Sequence, residues 1–387
     1  MPHTLIFDIG KTNKKCFLLD EKYQEVWKDY VRFEEIVDEV GFPCDDLIAI
    51  TNWIKKTAKK LVKNKDYDIR YINFSTYGAS FVHIDKDGQP LTPLYNYLKP
   101  YPSKVSKQFH KKYGSELAIA QATASPPSGM LNSGFQLYWL KQTQPKIYNK
   151  VRWSLHFPQY LSYLFTGIPV SDFTSIGCHT SLWDYEQKKY HQWVYEEGID
   201  KKLAPIVATN TSINTQIAGK KVTVGVGIHD SSAALLPYLS AAKAPFLLLS
   251  TGTWSIALNP FSEQLLSKKD LNNDCLNYLQ IDGQPVRASR LFLGNEYKLQ
   301  LKRIVVEIQN EFNCEMFKII ELFEILGENN LTKKHINSNK GDYPVYSGQI
   351  ENGGIFGHLN SFKYDETILT WVTYGNSGHI LKRSGKF

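Results

Sequence analysis

Short apolar runs broken by turn residues open the chain. Leu5–Ile9 is apolar and stops at Gly10, Lys15–Asp20 returns as Lys-Cys-Phe-Leu-Leu-Asp, and Glu25–Val31 supplies a third strand. Gly-Lys-Thr-Asn-Lys between the first two predicts a tight turn. A helical period takes over at Asp45: Leu47, Ile48, Ile50, Ile54, Ala58, Leu61 and Val62 recur at three and four, to about Lys63. Asp45 and Asp46 suit its first turn, and Lys55, Lys56, Lys59, Lys60 and Lys63 its outer face and C-terminal end. Ile69–Phe74 and Phe81–Ile84 read as strands, Gly134–Leu140 and Phe157–Phe165 as helices. The stretch 99–134, rich in Pro, Ser, Gly and Lys, is expected on the surface. Residues 205–221 read as a connection into strand Val222–Val226.

A second strand-turn-strand unit lies at Phe246–Leu258. Asp8-Ile9-Gly10 lines up with Ser250-Thr251-Gly252, each an apolar strand, a polar residue, one further residue and Gly before an apolar return. Recurrence of one unit so far apart points to two related domains facing a cleft, although Gly at a hairpin turn is common in its own right.

Composition narrows the class. With 387 residues the chain exceeds one small core, and 42% hydrophobic, 13% aromatic and 21% charged residues exclude a collagenous, mucin-like or disordered protein. Forty-five Lys and Arg against 38 Asp and Glu leave a net charge of +7, which suits an anionic small molecule and is too diffuse to imply nucleic acid. The lysine run at 55–63 has no interleaved stacking aromatics and reads as a solvated helix face. No signal-peptide order or membrane-length apolar run is present, and five scattered cysteines read as reduced thiols of a cytosolic protein.

Three segments could carry chemistry. A Gly turn between strands lets backbone N–H groups approach a polyphosphate, Lys11, Thr12, Asn13 and Lys14 add donors at the first turn, and Thr251 and Thr253 add hydroxyls at the second. Each turn taken alone reads first as an ordinary tight hairpin. Asp8, ending an apolar strand, could hold Mg²⁺ through its waters. The third segment, Val224-Gly-Val-Gly-Ile-His-Asp-Ser-Ser, runs into an Ala/Leu-rich helix. Asp230 there reads first as an N-cap, the commonest role of Asp at a helix start, and second as a general base whose charge the helix terminus favours. A phosphate loop of the GxxxxGK[ST] type, a Gly-x-Ser-x-Gly elbow and a His-Glu-x-x-His motif are all missing from the sequence.

Phe7-Asp8-Ile9-Gly10-Lys11-Thr12, Gly227-Ile228-His229-Asp230-Ser231 and Ser250-Thr251-Gly252-Thr253-Trp254-Ser255, in that order, resemble the FGGY carbohydrate kinases, the rhamnulokinase-like ketose kinases above all. Ile72 to Gly88, Asn132 to Leu137, Phe157 to Tyr160 and Thr174 to Leu182 fall in the family's usual order, so that the resemblance spans roughly residues 4–300. It implies an α/β, actin-like/hexokinase (ribonuclease H-like) ATPase fold of two similar domains flanking a cleft, here 1–221 and 222–387, the second incomplete. The implied activity is transfer of the ATP γ-phosphoryl to a hydroxyl of a rhamnulose-, fuculose- or xylulose-like ketose, with Mg²⁺. On this resemblance Asp230 is the base, and Thr76, Tyr77, Gly78, His229 and Ser231 line the sugar. Gly10, Lys11, Thr12, Asn13, Lys14 and Lys15 form the first nucleotide hairpin, Gly252 and Thr253 the second, and Asp8 is the magnesium-side carboxylate. Sugar and ATP are the implied partners, with no nucleic acid or membrane, a cytoplasmic setting, and a homodimer left open.

Three departures qualify the resemblance. Lys11, Lys14 and Lys15 stand where relatives mostly carry small hydroxyl residues. Ser75-Thr76-Tyr77 and Asn96-Tyr97-Leu98 replace a sugar-side Trp and acids, and Arg290-Leu291 stands in place of a Lys-Asn pair. No Gly-Gly-Gly-Ser-type adenosine motif follows Thr253, Gly353-Gly354 being the nearest candidate, and Glu366–Phe387 has no family likeness. The expectation is a truncated or frame-shifted C-terminus with an exposed apolar face, and the alternative function is a sugar- or nucleotide-binding remnant.

Overall fold

A computed structural model describes residues 1–251, 255–262, 264, 266–293, 296–297, 299–301, 303, 333–346, 355–365, 368–371 and 380–386. Packing divides the chain into Met1–Lys302 and Arg303–Phe387.

In the first unit the opening strands are β1 (Pro2–Ile9), β2 (Lys14–Leu19) and β3 (Glu25–Val31). They are followed by α1 (Leu47–Lys63) and β4 (Asp68–Thr76). Farther along come α2 (Phe157–Thr166), α3 (Phe173–Ile176), β5 (Ser212–Ile217), β6 (Lys220–Gly225), β7 (Ile228–His229) and α4 (Asp230–Ala241). The seven strands form one mixed sheet in the order β5-β6-β4-β1-β2-β3, with β7 also paired to β4. β1 is central because alternate residues Leu5, Phe7 and Ile9 are fully buried, and Phe7 stacks on Phe74 of parallel β4 at 5.7 Å. The stripe Leu47, Ile50, Ile54, Ala58, Leu61 and Val62 buries α1 in the same core. Ile48, one step off that stripe, is 72% exposed. Asp46 caps α1 by accepting the Ala49 N–H at 2.9 Å.

Two expectations change. The stretch 99–134 is not surface loop: it holds helices Ser103–Tyr113 and Glu116–Ala122, which bury Val105, Phe109 and Ile119 in a second core with Phe135, Tyr138 and Trp193. Its Pro, Gly and Ser are helix punctuation. Pro102 and Ser115 start the two helices, Gly114 ends the first, and Ser115 accepts the Ala118 N–H at 3.2 Å. The region 205–221 contributes edge strand β5. The 221/222 boundary falls inside β6, where Val224 pairs with Ile72, so the first sheet draws strands from both sides of it.

A four-stranded sheet completes this unit: β8 (Leu248–Ser250), β9 (Ser255–Asn259), β10 (Cys275–Leu279) and β11 (Pro285–Leu291), ordered β8-β9-β11-β10. In Arg303–Phe387 the described elements are a helix, Lys333–Ser338, and two antiparallel hairpins, Tyr343–Tyr346 with Ile355–Leu359 and Ile368–Trp371 with Ile380–Arg383. Among the described residues no helix is long and apolar enough to cross a membrane.

Candidate active site

The first hairpin joins β1 to β2. Its turn closes through the Gly10 N–H donating to the Asn13 carbonyl at 2.9 Å, and a Cβ on Gly10 would sit 3.1 Å from that oxygen. Asp8 lies opposite Lys15 on β2 and Ser75 on β4, with Lys15 Nζ 3.9 Å from Asp8 Oδ2. Burial raises the Asp8 carboxyl above its ordinary value, Lys15 pulls it down, and the charge of Asp230 pushes it up again. Two carboxylates that feel each other across a partly exposed gap suit a Mg²⁺ ion that keeps most of its waters. No group of three or more potential metal-ligating side chains exists among the described residues.

The hairpin lysines do not share one role. Lys14 is 1% exposed, and its ammonium donates to Asp45 Oδ1 at 2.9 Å and to the Lys11 carbonyl at 2.9 Å. Lys11 donates to Asp45 Oδ2 at 2.7 Å and to Glu35 at 3.0 Å. Tyr77 completes the hub, its buried hydroxyl donating to Asp45 Oδ2 at 2.8 Å. Burial pushes the Asp45 carboxyl up, but the two ammonium groups win and hold it below its usual value. Asn13 faces β3, accepting from Tyr30 and from Arg32 Nε at 2.9 Å. Of the hairpin cations, Lys15 alone lies beside Asp8, and Thr12 is exposed at the tip.

Asp230 is the first residue of α4, with His229 in the cap position. One carboxylate oxygen is tied down: Oδ1 accepts the Ser231 N–H at 2.6 Å, lies 3.3 Å from Ser231 Oγ, and is 3.2 Å from His229 Nε2. Oδ2 takes none of these bonds, and the side chain is 39% exposed. Burial lowers the pKa of His229 against the pull of the Asp230 and Asp172 carboxylates. A proton on Nε2 satisfies its surroundings, since Nε2–H then donates to Asp230 while Nδ1 accepts from Ser232 Oγ at 3.2 Å.

Gly78 follows β4 and approaches the same ring. A Cβ there would overlap Cys178 Sγ and stand 3.2 Å from two atoms of the His229 ring. Cys178 Sγ lies 3.2 Å from His229 Nε2, and burial drives its thiol pKa far up, so it packs without reacting. Thr76 is fully buried, and its hydroxyl donates to the Tyr77 carbonyl at 2.9 Å. The structure therefore gathers Asp8, Lys15, Gly78, His229, Asp230 and Ser231 around the ends of β1, β4 and β7. It turns Lys11, Lys14 and Tyr77 to Asp45, whose place just before a helix is all that its sequence neighbours show. Gly252 and Thr253 lie outside the described residues.

Residues 3–236 match the N-terminal domain model of the FGGY family of carbohydrate kinases, and residues 243–352 match a carbohydrate kinase FGGY C-terminal domain model. The chain belongs to the FGGY family of carbohydrate kinases. It is 24% identical over 266 residues to the rhamnulokinase of Halalkalibacterium halodurans, covering 66% of this chain and 56% of that one. A carbohydrate kinase from Novosphingobium aromaticivorans superposes with a TM-score of 0.68 at 27% identity, over 76% of this chain and 63% of its own. The chain thus spans little more than half the length of the rhamnulokinase it matches. A separate likeness joins these: 37% identity over 73 residues, 19% of this chain and 31% of the relative, to a putative type I specificity subunit of Mycoplasma pneumoniae.

Proposed function

We propose that the chain phosphorylates a hydroxyl of a ketose from ATP, with Asp230 as the general base and Asp8 on the magnesium side. The observation that carries this is the divided carboxylate of Asp230, in which Oδ1 is held by Ser231 and His229 while Oδ2 stays open to a hydroxyl. That division orients a base without neutralising it. Phosphoryl transfer asks for little else beyond alignment and charge neutralisation, which ATP-bound Mg²⁺ supplies when present. Rhamnulose-, fuculose- and xylulose-like sugars are the substrate class, supported by the kinship to rhamnulokinase and to the L-fuculokinase of Escherichia coli K12, 26% identical over 200 residues. The test is ADP release with Mg-ATP and L-rhamnulose, L-fuculose or D-xylulose. Asp230→Asn should lower kcat by roughly 10²- to 10⁴-fold, and equal turnover by that variant removes the role.

A second reading, supported by the lack of a Gly-Gly-Gly-Ser-type motif between Thr253 and Phe387, is a sugar-binding protein that holds adenosine poorly. It predicts calorimetric heat with a ketose and none with ATP.

For the C-terminal unit we infer that the specificity-subunit likeness falls within Arg303–Phe387, overlapping the end of the family match at 352. Its 73 matched residues are few enough to be held by that unit alone. On this reading, limited proteolysis between the units leaves ketose binding by Met1–Lys302 intact, whereas lost binding would tie the second unit to the site.

A further inference from the structure

Asp172 is fully buried, and its carboxylate accepts five hydrogen bonds without a neighbouring cation among them. Oδ2 takes the Thr174 N–H at 3.0 Å, the Thr174 hydroxyl at 2.6 Å and the Thr209 hydroxyl at 2.8 Å. Oδ1 takes the Ser175 N–H at 3.0 Å and the Gln159 amide at 3.0 Å. A buried charge so fully satisfied is expensive to assemble and rigid once made.

Two of those donors lead to the base. The Thr174 hydroxyl, its proton committed to Asp172, accepts the His229 N–H at 3.1 Å. The same Gln159 Nε2 that donates to Asp172 also donates to the Gly227 carbonyl at 3.1 Å. Both acceptors of that nitrogen are unambiguous, so its orientation follows from them. Gly227 itself, at φ +87°, lies so close to α2 that a Cβ would stand 2.6 Å from the Pro158 carbonyl oxygen. The turn ahead of Asp230 is therefore held at its first residue through Gln159 and at its third through Thr174.

We propose that Asp172 is a positioning residue: through Thr174 and Gln159 it fixes the Gly227–Asp230 turn and aims Asp230 Oδ2 at the acceptor hydroxyl. This rests on the kinase reading of Asp230. Asp172→Asn places an NH₂ against donors whichever way the amide turns, and that variant can fail to fold. Thr174→Val and Thr174→Ser carry the test.

Two measurements on the full chain are read together: hydrogen exchange at the His229 amide, and ADP release with Mg-ATP and the three ketoses. In Thr174→Val, exchange at His229 should rise about tenfold while β1 and β4 keep their protection. Its kcat should fall about 10- to 100-fold with the ATP KM within about twofold. Thr174→Ser should restore both. Unchanged exchange at His229, exchange that rises equally across the sheet, or a serine variant no better than valine overturns the proposal. If the wild-type chain releases no ADP with any ketose, the kinase reading fails, and exchange at His229 still decides whether the Asp172–Thr174 link holds the turn.

Discussion

At the scale of single residues the site depends on where charges are spent. Asp45 holds two ammonium groups and a phenol, and for Lys14, 1% exposed, it is the carboxylate partner, with the Lys11 carbonyl as a neutral second acceptor. Asp45→Ala should therefore cost about 3–5 kcal/mol, read by urea unfolding, because it strands a buried cation. A loss below about 1 kcal/mol would mean that Lys14 finds water. Lys15 does a different job. It pulls the Asp8 carboxyl down against burial and against Asp230. The magnesium-side role proposed for Asp8 requires a charged carboxylate, so on that proposal binding is lost as pH falls through its pKa. Removing Lys15 raises that pKa further, and the acid limb of Mg-ADP binding by Lys15→Gln should move to higher pH in a calorimetric titration. An unmoved limb would separate Lys15 from Asp8.

At the scale of elements, the turn ahead of Asp230 is only as good as the contact between Gly227 and α2. Gly227→Ala imposes a left-handed backbone on a side chain, about 1–3 kcal/mol by itself, and drives a Cβ at the Pro158 carbonyl. The urea midpoint should drop at unchanged slope. An alanine variant as stable as wild type would show that the turn can move off α2. The strands around Asp8 and the helix from Leu47 were legible in the sequence because apolar period and turn residues state them locally. So was the strand-to-helix step at Asp230. The helices between 99 and 134 were not, because Pro, Gly and Ser punctuate short helices as readily as they make loops. Nor were the hubs. Asp45 meets Lys11 and Tyr77 from 34 and 32 residues away, and Asp172 meets Thr209 from 37, while the sequence shows only each acid's local place beside a helix start.

At the scale of the whole molecule, the four-stranded sheet of the first unit has two unlike faces. Ile256, Leu258, Leu276, Tyr278, Val286 and Ala288 point to one side and are buried with Leu235 of α4. The opposite side carries Leu249 and Leu291, 61% and 53% exposed, which the strand register places on one face through Ala257 and Ser255. Burial of each such leucine is worth about 1.5–3 kcal/mol, and two on one flat face with Leu247 nearby form a patch that water tolerates poorly. The chain should therefore associate, with a weight-average mass in sedimentation that grows with concentration. Leu249→Lys with Leu291→Lys leaves the buried face untouched, so the double variant should keep its far-ultraviolet spectrum and sediment as a monomer. If wild type already sediments as a monomer across the concentration range, or the double variant still associates, that face is not where the molecules meet.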